Sequence, residues 1–257
     1  MARIFITGSS TGLGLMAGQL MIEQGHEVVL HGRDARRSDT ALREASGAVG
    51  VVTGDLSLMR GIREVAEQVN RLGRFDAVIH NAGVGYREPR RIDTEDGLPH
   101  VFAVNTMAPY LLTVLIERPE RLVYLSSGLH HGAGADLDDL LWRRRRWQGL
   151  AAYAESKLHD VLLAFAVARL WPDVLSNALE PGWVATRMGG AGASDDLAQG
   201  HLTQAWLATG DDALARSTGR YFYHRATREP DPVTAIEATQ DALLIACERV
   251  SGATFPR

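Results

Sequence analysis

Cysteine is nearly absent: Cys247 stands alone among 257 residues. One thiol cannot close an internal disulfide, and thiolate metal clusters need several. A reducing, cytoplasmic setting is therefore expected. Long apolar runs are also missing. Tyr110 to Ile116 is among the longest, far short of the ~20 residues that span a bilayer, so stable membrane insertion is not expected. The run Ile4-Phe5-Ile6 follows Met1-Ala2-Arg3 directly. It is too short for a leader core and no small-residue cleavage site follows, so no secretory signal is expected. Charge of one sign is lacking too. A formal net charge of −4 gives no general pull toward nucleic acid or anionic membranes.

What is present is alternation. Ile4–Thr7, Glu27–His31, Val49–Thr53, Asp76–His80, Arg121–Ser126 and Val174–Leu179 are short, β-branched-rich apolar runs, the pattern of strands buried on both faces. Between them Leu13–Gln24, Leu58–Leu72, Pro99–Glu117 and Ala151–Leu170 read as helices. A last strand over Arg220–Tyr223 and a last helix over Val233–Arg249 complete the chain. Strands alternating with helices predict βαβ units in one α/β domain, residues 1–257: a doubly wound, mostly parallel sheet of about seven strands with helices on both faces. Two stretches interrupt the pattern. Residues 129–149 form an insertion carrying Asp136, Asp138, Asp139 and Arg143 to Arg146. Residues 189–200 are small, polar and glycine-rich, which suits a mobile loop, and a lid over the substrate is expected around 185–215.

The first strand runs into Thr7-Gly8-Ser9-Ser10-Thr11-Gly12-Leu13-Gly14, which opens the first helix. A dinucleotide pyrophosphate needs that geometry. N–H groups at a helix start face the anion, and missing Cβ atoms let the phosphates approach. The spacing is Gly-x-x-x-Gly-x-Gly. The same residues also contain Gly-x-Ser-x-Gly, the nucleophile elbow of α/β-hydrolases, with Ser10 as nucleophile. That elbow requires strands upstream for its oxyanion hole, and only seven residues precede Gly8, so the hydrolase reading stands second.

The second strand ends at His31-Gly32-Arg33-Asp34. An acid at this strand end bonds a ribose 2′-OH and selects NAD; an arginine pairs with a 2′-phosphate and selects NADP. Arg33 favours NADP(H), with His31 either assisting or buried at the strand end, and Asp34 turned away or capping the next turn. Asp55-Leu56, after the third strand, would lie beside the adenine or cap the helix that follows. Tyr153-Ala154-Glu155-Ser156-Lys157 puts a phenol and an ammonium at i and i+4 on one helix face. A free phenol titrates near ~10. A neighbouring ammonium favours the phenolate and should lower that value, making Tyr153 a candidate general acid/base. Ser127, at the end of an apolar strand, could hold a substrate oxygen.

Thr7 to Gly14, Asn81-Ala82-Gly83, Asn105, Ser126-Ser127, Tyr153 to Lys157 and Pro181-Gly182, in that order along nearly the whole chain, resemble the short-chain dehydrogenase/reductase family. Leu125 to His130, Ala152 to Leu158, Gly219 to Phe222 and the length of the insertion are most similar to its retinol-dehydrogenase-like branch. The resemblance implies a reaction that interconverts a carbonyl compound and an alcohol with NADP(H). It implies that Tyr153 exchanges the proton, Lys157 lowers its pKa and holds the nicotinamide ribose, and Ser127 orients the carbonyl. Asn105 would anchor a water that links Lys157 to solvent. Gly8, Ser9, Ser10, Thr11, Gly12, Leu13 and Gly14, with Arg33, Asp55, Leu56, Asn81, Ala82 and Gly83, would contact the cofactor. Pro181, Gly182, Val184 and Thr186 would contact its nicotinamide end. Two features depart from the family. Ser127 and Tyr153 are 26 residues apart, about twice the usual spacing, and His80 stands where an asparagine is usual.

A nucleotide-sensing protein that keeps the fold without turnover is the main alternative, but such proteins usually lose the tyrosine or lysine, and both are here. His130-His131 lack a third ligand at a metal spacing, so no metal is expected. Arg143 to Arg146 between Trp142 and Trp147 could suggest nucleic acid, but pairing with Asp136 to Asp139 is the expected role. The expected partner is an apolar small-molecule substrate, with a homodimer or homotetramer as the possible assembly. Trp183, Met188, Leu202 and Trp206 could line its pocket or belong to the core.

Overall fold

A computed structural model describes residues 1–257. Eight strands form one sheet in the order β3-β2-β1-β4-β5-β6-β7-β8. They are β1 (Arg3–Ile6), β2 (Glu27–Gly32), β3 (Gly50–Thr53), β4 (Ala77–His80), β5 (Arg121–Leu125), β6 (Leu175–Glu180), β7 (Tyr221–Tyr223) and β8 (Ala226–Thr227). The first seven run parallel; the two-residue β8 returns antiparallel on the edge, one strand beyond the expected seven. The order reverses between β1 and β4, the place where an open α/β sheet leaves a crevice at its strand ends.

Strand side chains alternate between two cores. Ile4, Ile6, Val28, Leu30, Ala77, Ile79, Val123 and Leu125 point to one face, where they meet Ala17 and Met21 of α1 (Gly12–Glu23). Ala41 of α2 (Ala35–Glu44) and Ala205 and Ala208 of α7 (Leu202–Thr209) complete that layer. Phe5, Val29, Val78, Leu122 and Tyr124 point to the other face. There they pack on α3 (Met59–Arg71), α5 (Ala108–Leu115), α6 (Gly149–Leu170) and α8 (Glu237–Ser251). Both faces are covered, as a parallel sheet requires.

The helix expected over Pro99–Glu117 is not uniform. It begins as α4 (His100–Phe102), widens into a π turn over Ala103–Met107 and resumes as α5. Pro109, in the first turn of α5, explains the break. An α-helix would need its N–H to meet the carbonyl of Asn105 four residues back, and proline has none. Asn105 therefore sits inside the wider turn, fully buried.

Candidate active site

The glycine-rich turn leaves β1 with two residues in the left-handed region, Gly8 at φ +64° and Gly12 at φ +62°. Its other glycine constraint is space. A Cβ on Gly8 would lie 2.7 Å from the Cα of Ala82, and one on Gly14 would lie 2.3 Å from Nδ2 of Asn81. Hydrogen bonds knit the turn to the end of β4. Thr7 Oγ1 accepts from the N–H groups of Asn81 and Ala82, each at 3.0 Å. Asn81 Nδ2 donates to the carbonyls of Thr7 (2.9 Å) and Gly8 (3.2 Å). Thr11 precedes α1 without a side-chain cap, and no acid stands in the helix's first turn. The N-terminal dipole and N–H groups are thus left to an external anion.

His31 borders the groove but has no free nitrogen to offer a phosphate. It is buried, with Nδ1 accepting from the Gly8 N–H (3.0 Å) and Nε2 donating to the Gly54 carbonyl (2.9 Å). Burial pulls its pKa down to about 4, so it is a neutral brace between the turn and the end of β3. Both nitrogens are spent on backbone, and Ser10 has no hydrogen bond to an imidazole. The hydrolase reading thus lacks a general base.

At the end of β2, Arg33 is largely exposed, its Nε 3.3 Å from Oδ2 of Asp34. Asp34 caps α2 by accepting from the Arg37 N–H at 2.9 Å, a bond that holds its carboxyl below the usual range. Arg37, three residues past that cap, lines the groove with Arg33. Sequence reading missed it because it missed α2, whose only buried residues are Ser38 and Ala41. Such a polar segment shows no apolar stripe; the cap at Asp34 was the available signal. Asp55 and Leu56 also line the groove. Asp55 makes a turn rather than a helix cap: Oδ1 accepts from the N–H and Oγ of Ser57, while Leu58 stands at the cap of α3.

Helix α6 brings Tyr153 and Lys157 to the other end of the same groove, with Nζ 5.9 Å from the phenol ring centre. Ser126 Oγ donates to the Lys157 carbonyl at 2.7 Å, tying β5 to α6. Ser127 follows at the groove wall, its Oγ accepting from the Leu129 N–H. Nζ donates to the Leu125 carbonyl (2.6 Å) and to Oδ2 of Asp160 (2.8 Å). Burial would weaken the Lys157 ammonium, but Asp160 and Tyr153 together outweigh it and its pKa rises; burial also pushes the Asp160 carboxyl up to about 7, against the pull of Lys157. The phenol differs from expectation. Burial raises the pKa of Tyr153 above its usual value, and Lys157 only opposes that rise. Asn105 spends its side chain on structure: Oδ1 accepts from the Val84 N–H (2.8 Å), and Nδ2 donates to the Val84 carbonyl and Ser156 Oγ (3.0 Å each). Its amide therefore braces the loop after β4 against α6. Gly83 fills the gap between them: a Cβ there would stand 3.5 Å from Asn105 Oδ1 and 3.7 Å from Nζ.

Pro181, Gly182, Val184 and Thr186 line the groove after β6. Gly182 is left-handed at φ +83°, and the next N–H, of Trp183, donates to Asp195 at 2.7 Å. Met188 then lies over the phenol, its Sδ 3.9 Å from the Tyr153 oxygen, and Tyr86 meets the same ring edge-on at 5.6 Å. Arg87 reaches across to the Gly189 carbonyl at 3.4 Å. The segment expected as a lid over 185–215 divides in two. Its first part faces the groove; Leu202 and Trp206 belong to α7, where Trp206 packs on Phe222 and donates to Asp212. Of the four undecided apolar residues, only Trp183 and Met188 line the groove.

The insertion folds onto α6. Asp139, buried, accepts from the N–H groups of Arg143, Arg144 and Arg145. Arg145 forks onto Glu155 of α6 at 2.6 and 3.0 Å and lies over the Trp142 ring at 4.0 Å. His130 is likewise spent, its Nδ1 donating to the Ser127 carbonyl (2.8 Å) and Nε2 accepting from the Asp231 N–H (3.0 Å). His80 is buried and neutral, pulled down to about 3 by burial, and bonds Thr113 Oγ1 at 3.2 Å.

One groove of about 1390 Å³ thus joins the glycine-rich turn, Arg33 and Arg37, the loop after β4, and Tyr153 with Lys157 and Ser127. That is the layout of an α/β protein that docks a dinucleotide across the strand ends. A short chain dehydrogenase family model matches residues 2–119. The short-chain dehydrogenase chyC of Penicillium rubens is 40% identical over 260 residues, covering 100% of both chains. Human retinol dehydrogenase 13 is 34% identical over 200 residues, 72% of this chain and 60% of that protein. Among solved structures, the NADPH-dependent 3-quinuclidinone reductase of Rhodotorula rubra shares the fold. Its TM-score is 0.65 at 20% identity, covering 86% of this chain and 88% of that one. The chain belongs to the short-chain dehydrogenase/reductase family of oxidoreductases. No helix is long and apolar enough to cross a membrane.

Proposed function

We propose that the protein interconverts a ketone or aldehyde and the corresponding alcohol with NADP(H), Tyr153 exchanging the proton. The observation that carries this reading is the single groove with the glycine-rich turn at one end and Tyr153, Lys157 and Ser127 at the other. The turn fits a dinucleotide: Gly12, left-handed and on the groove, has open space where a Cβ would stand, and no side chain competes for the α1 N–H groups. The choice of NADP(H) rests on charge. Asp34 is committed to capping α2, which leaves the arginines Arg33 and Arg37 facing the groove, the chemistry that pairs with a 2′-phosphate.

When bound, the nicotinamide supplies or accepts the hydride. The chain's own residues do the rest. Ser127 offers its hydroxyl to the substrate oxygen and so fixes the carbonyl. Tyr153 gives that oxygen a proton from its hydroxyl during reduction, and takes one back during oxidation. The raised pKa of the buried phenol suits the first direction, because the acid stays protonated at neutral pH. Lys157 stabilises the phenolate left behind. Met188 and Tyr86 pack on the phenol, and Arg87 ties the loop after β4 to the Gly189 carbonyl beside them. A substrate must share this apolar, aromatic end of the groove.

The test follows near-ultraviolet absorbance of NADPH against a panel of ketones and aldehydes. The wild type should oxidise NADPH with one or more of them. Tyr153→Phe should lose at least about 10²-fold in turnover while its NADPH dissociation constant stays within about twofold. Binding without turnover across the panel would favour a nucleotide sensor. Equal loss of turnover and binding in the variant would contradict the role given to Tyr153.

A further inference from the structure

The reaction as described does not use one buried carboxylate, that of Asp160. It lies one helical turn beyond Lys157 on α6, 2% exposed, with Oδ2 2.8 Å from Nζ. We propose that Asp160 is a positioning residue: its carboxylate keeps the Lys157 ammonium charged and aimed along the groove at Tyr153. This rests on the proton-exchange role given to Tyr153 above.

Lys157 is 5% exposed. An ammonium without a counter-charge at such a site is costly, and the usual outcome is loss of its proton. No other neighbour supplies a counter-charge. From β5 come the Leu125 carbonyl, which is neutral, and Tyr124, whose hydroxyl is bonded to Thr113 at 2.7 Å. Behind Tyr124, β4 contributes His80, tilted against that ring at 4.7 Å and neutral. The π turn and the loop after β4 contribute Asn105 and Gly83, which carry no charge. On α6 itself stand Tyr153 and Asp160. Asp160 is therefore the acid that pairs with Lys157, and Lys157 is the side chain that donates to it; burial lifts its carboxyl to about 7, so the pair is fully charged only above that pH, where the binding test below reads it. An ammonium has three N–H donors. Leu125 and Asp160 take two on the protein side, which leaves the third for the groove. A carboxylate at 160 also weakens the field that Lys157 exerts on Tyr153, consistent with a phenol that keeps its proton.

Asp160→Asn keeps the shape and removes the charge. Without it, the buried ammonium loses its proton at lower pH. Whatever charge remains acts on Tyr153 unopposed and lowers the phenol's pKa. Loss of the ammonium withdraws the charge that stabilises the phenolate, and a lowered phenol pKa withdraws the acid's proton, so by either route reduction fails at lower pH. The alkaline limb of the reduction profile should therefore move to lower pH by at least about one unit. NADPH affinity should weaken at least about fivefold more in the variant than in the wild type between about pH 7 and 9, a readout that needs no turnover. An unmoved limb and unchanged binding in a folded Asp160→Asn protein would overturn the proposal.

Should that variant not fold, melting of Lys157→Met replaces it. Stranding the carboxylate should make its melting temperature fall with rising pH relative to wild type, and adding Asp160→Asn should remove that dependence. Identical pH dependence in the wild type and Lys157→Met would refute the pairing. A wild type without turnover would overturn the reaction, and this role with it. A wild type with turnover and an unmoved limb in Asp160→Asn would overturn Asp160 alone.

Discussion

At the residue scale, the cofactor end depends on atoms that are missing. A methyl on Gly14 would sit 2.3 Å from Asn81 Nδ2, and that amide holds the carbonyls of Thr7 and Gly8. Gly14→Ala should therefore cost about 1–3 kcal/mol of stability, as overpacking does, and weaken NADPH binding as well. Urea unfolding and a fluorescence titration check both; an unchanged protein would mean that the turn relaxes freely. Arg33→Ala combined with Arg37→Ala should lower the preference for NADPH over NADH by at least about tenfold, through loss of charge-assisted bonds to the 2′-phosphate. Equal dissociation constants for the two cofactors in the wild type would contradict this. Most of these residues were legible beforehand, because glycine spacing and a Tyr-x-x-x-Lys pair are local patterns. Arg37 and Asp160 were not. The first needed a polar helix that shows no apolar stripe, and the second a neighbour whose meaning appears only once α6 lies against β5.

At the element scale, the insertion is fastened to the catalytic helix rather than left in solvent. Glu155 stands two residues from Tyr153 and receives both arms of Arg145. Glu155→Ala should destabilise the insertion, and limited trypsin digestion should cut faster at Arg143 to Arg146. The expected overall cost is about 1–3 kcal/mol, less than a fully buried pair because Arg145 keeps Asp139 and some solvent. Unchanged digestion would show the fork to be unimportant. The sequence placed the strands within a residue or two because their apolar runs are nearly continuous. It did not show the π turn at Asn105, since the apolar pattern of residues 99–117 carries straight through. Pro109 was the one mark of it. Nor did it show α7, whose small residues resembled the loop before them.

At the scale of the whole molecule, four imidazoles sit neutral in the core. Burial pulls His31 and His130 to about 4 and both His80 and His159 to about 3. The unfolded chain takes up these protons near ~6.5, before the folded one can. Stability is therefore fully present above about pH 6.5 and falls as pH drops toward 4, by about 1 kcal/mol per imidazole per unit. Melting temperatures should decline steadily on acidification from about pH 7 to 5, and His159→Gln should flatten the slope. A profile flat over that range would mean that these groups are solvated.

One dinucleotide must run from the turn at Gly8 to the phenol of Tyr153. A crystal structure with NADPH and a substrate analogue measures this directly. The 2′-phosphate should lie near Arg33 and Arg37, the pyrophosphate on the α1 N–H groups, and the reactive nicotinamide carbon beside the Tyr153 oxygen and Ser127. A nucleotide bound elsewhere, or a nicotinamide ring pointing away from that phenol, would contradict it.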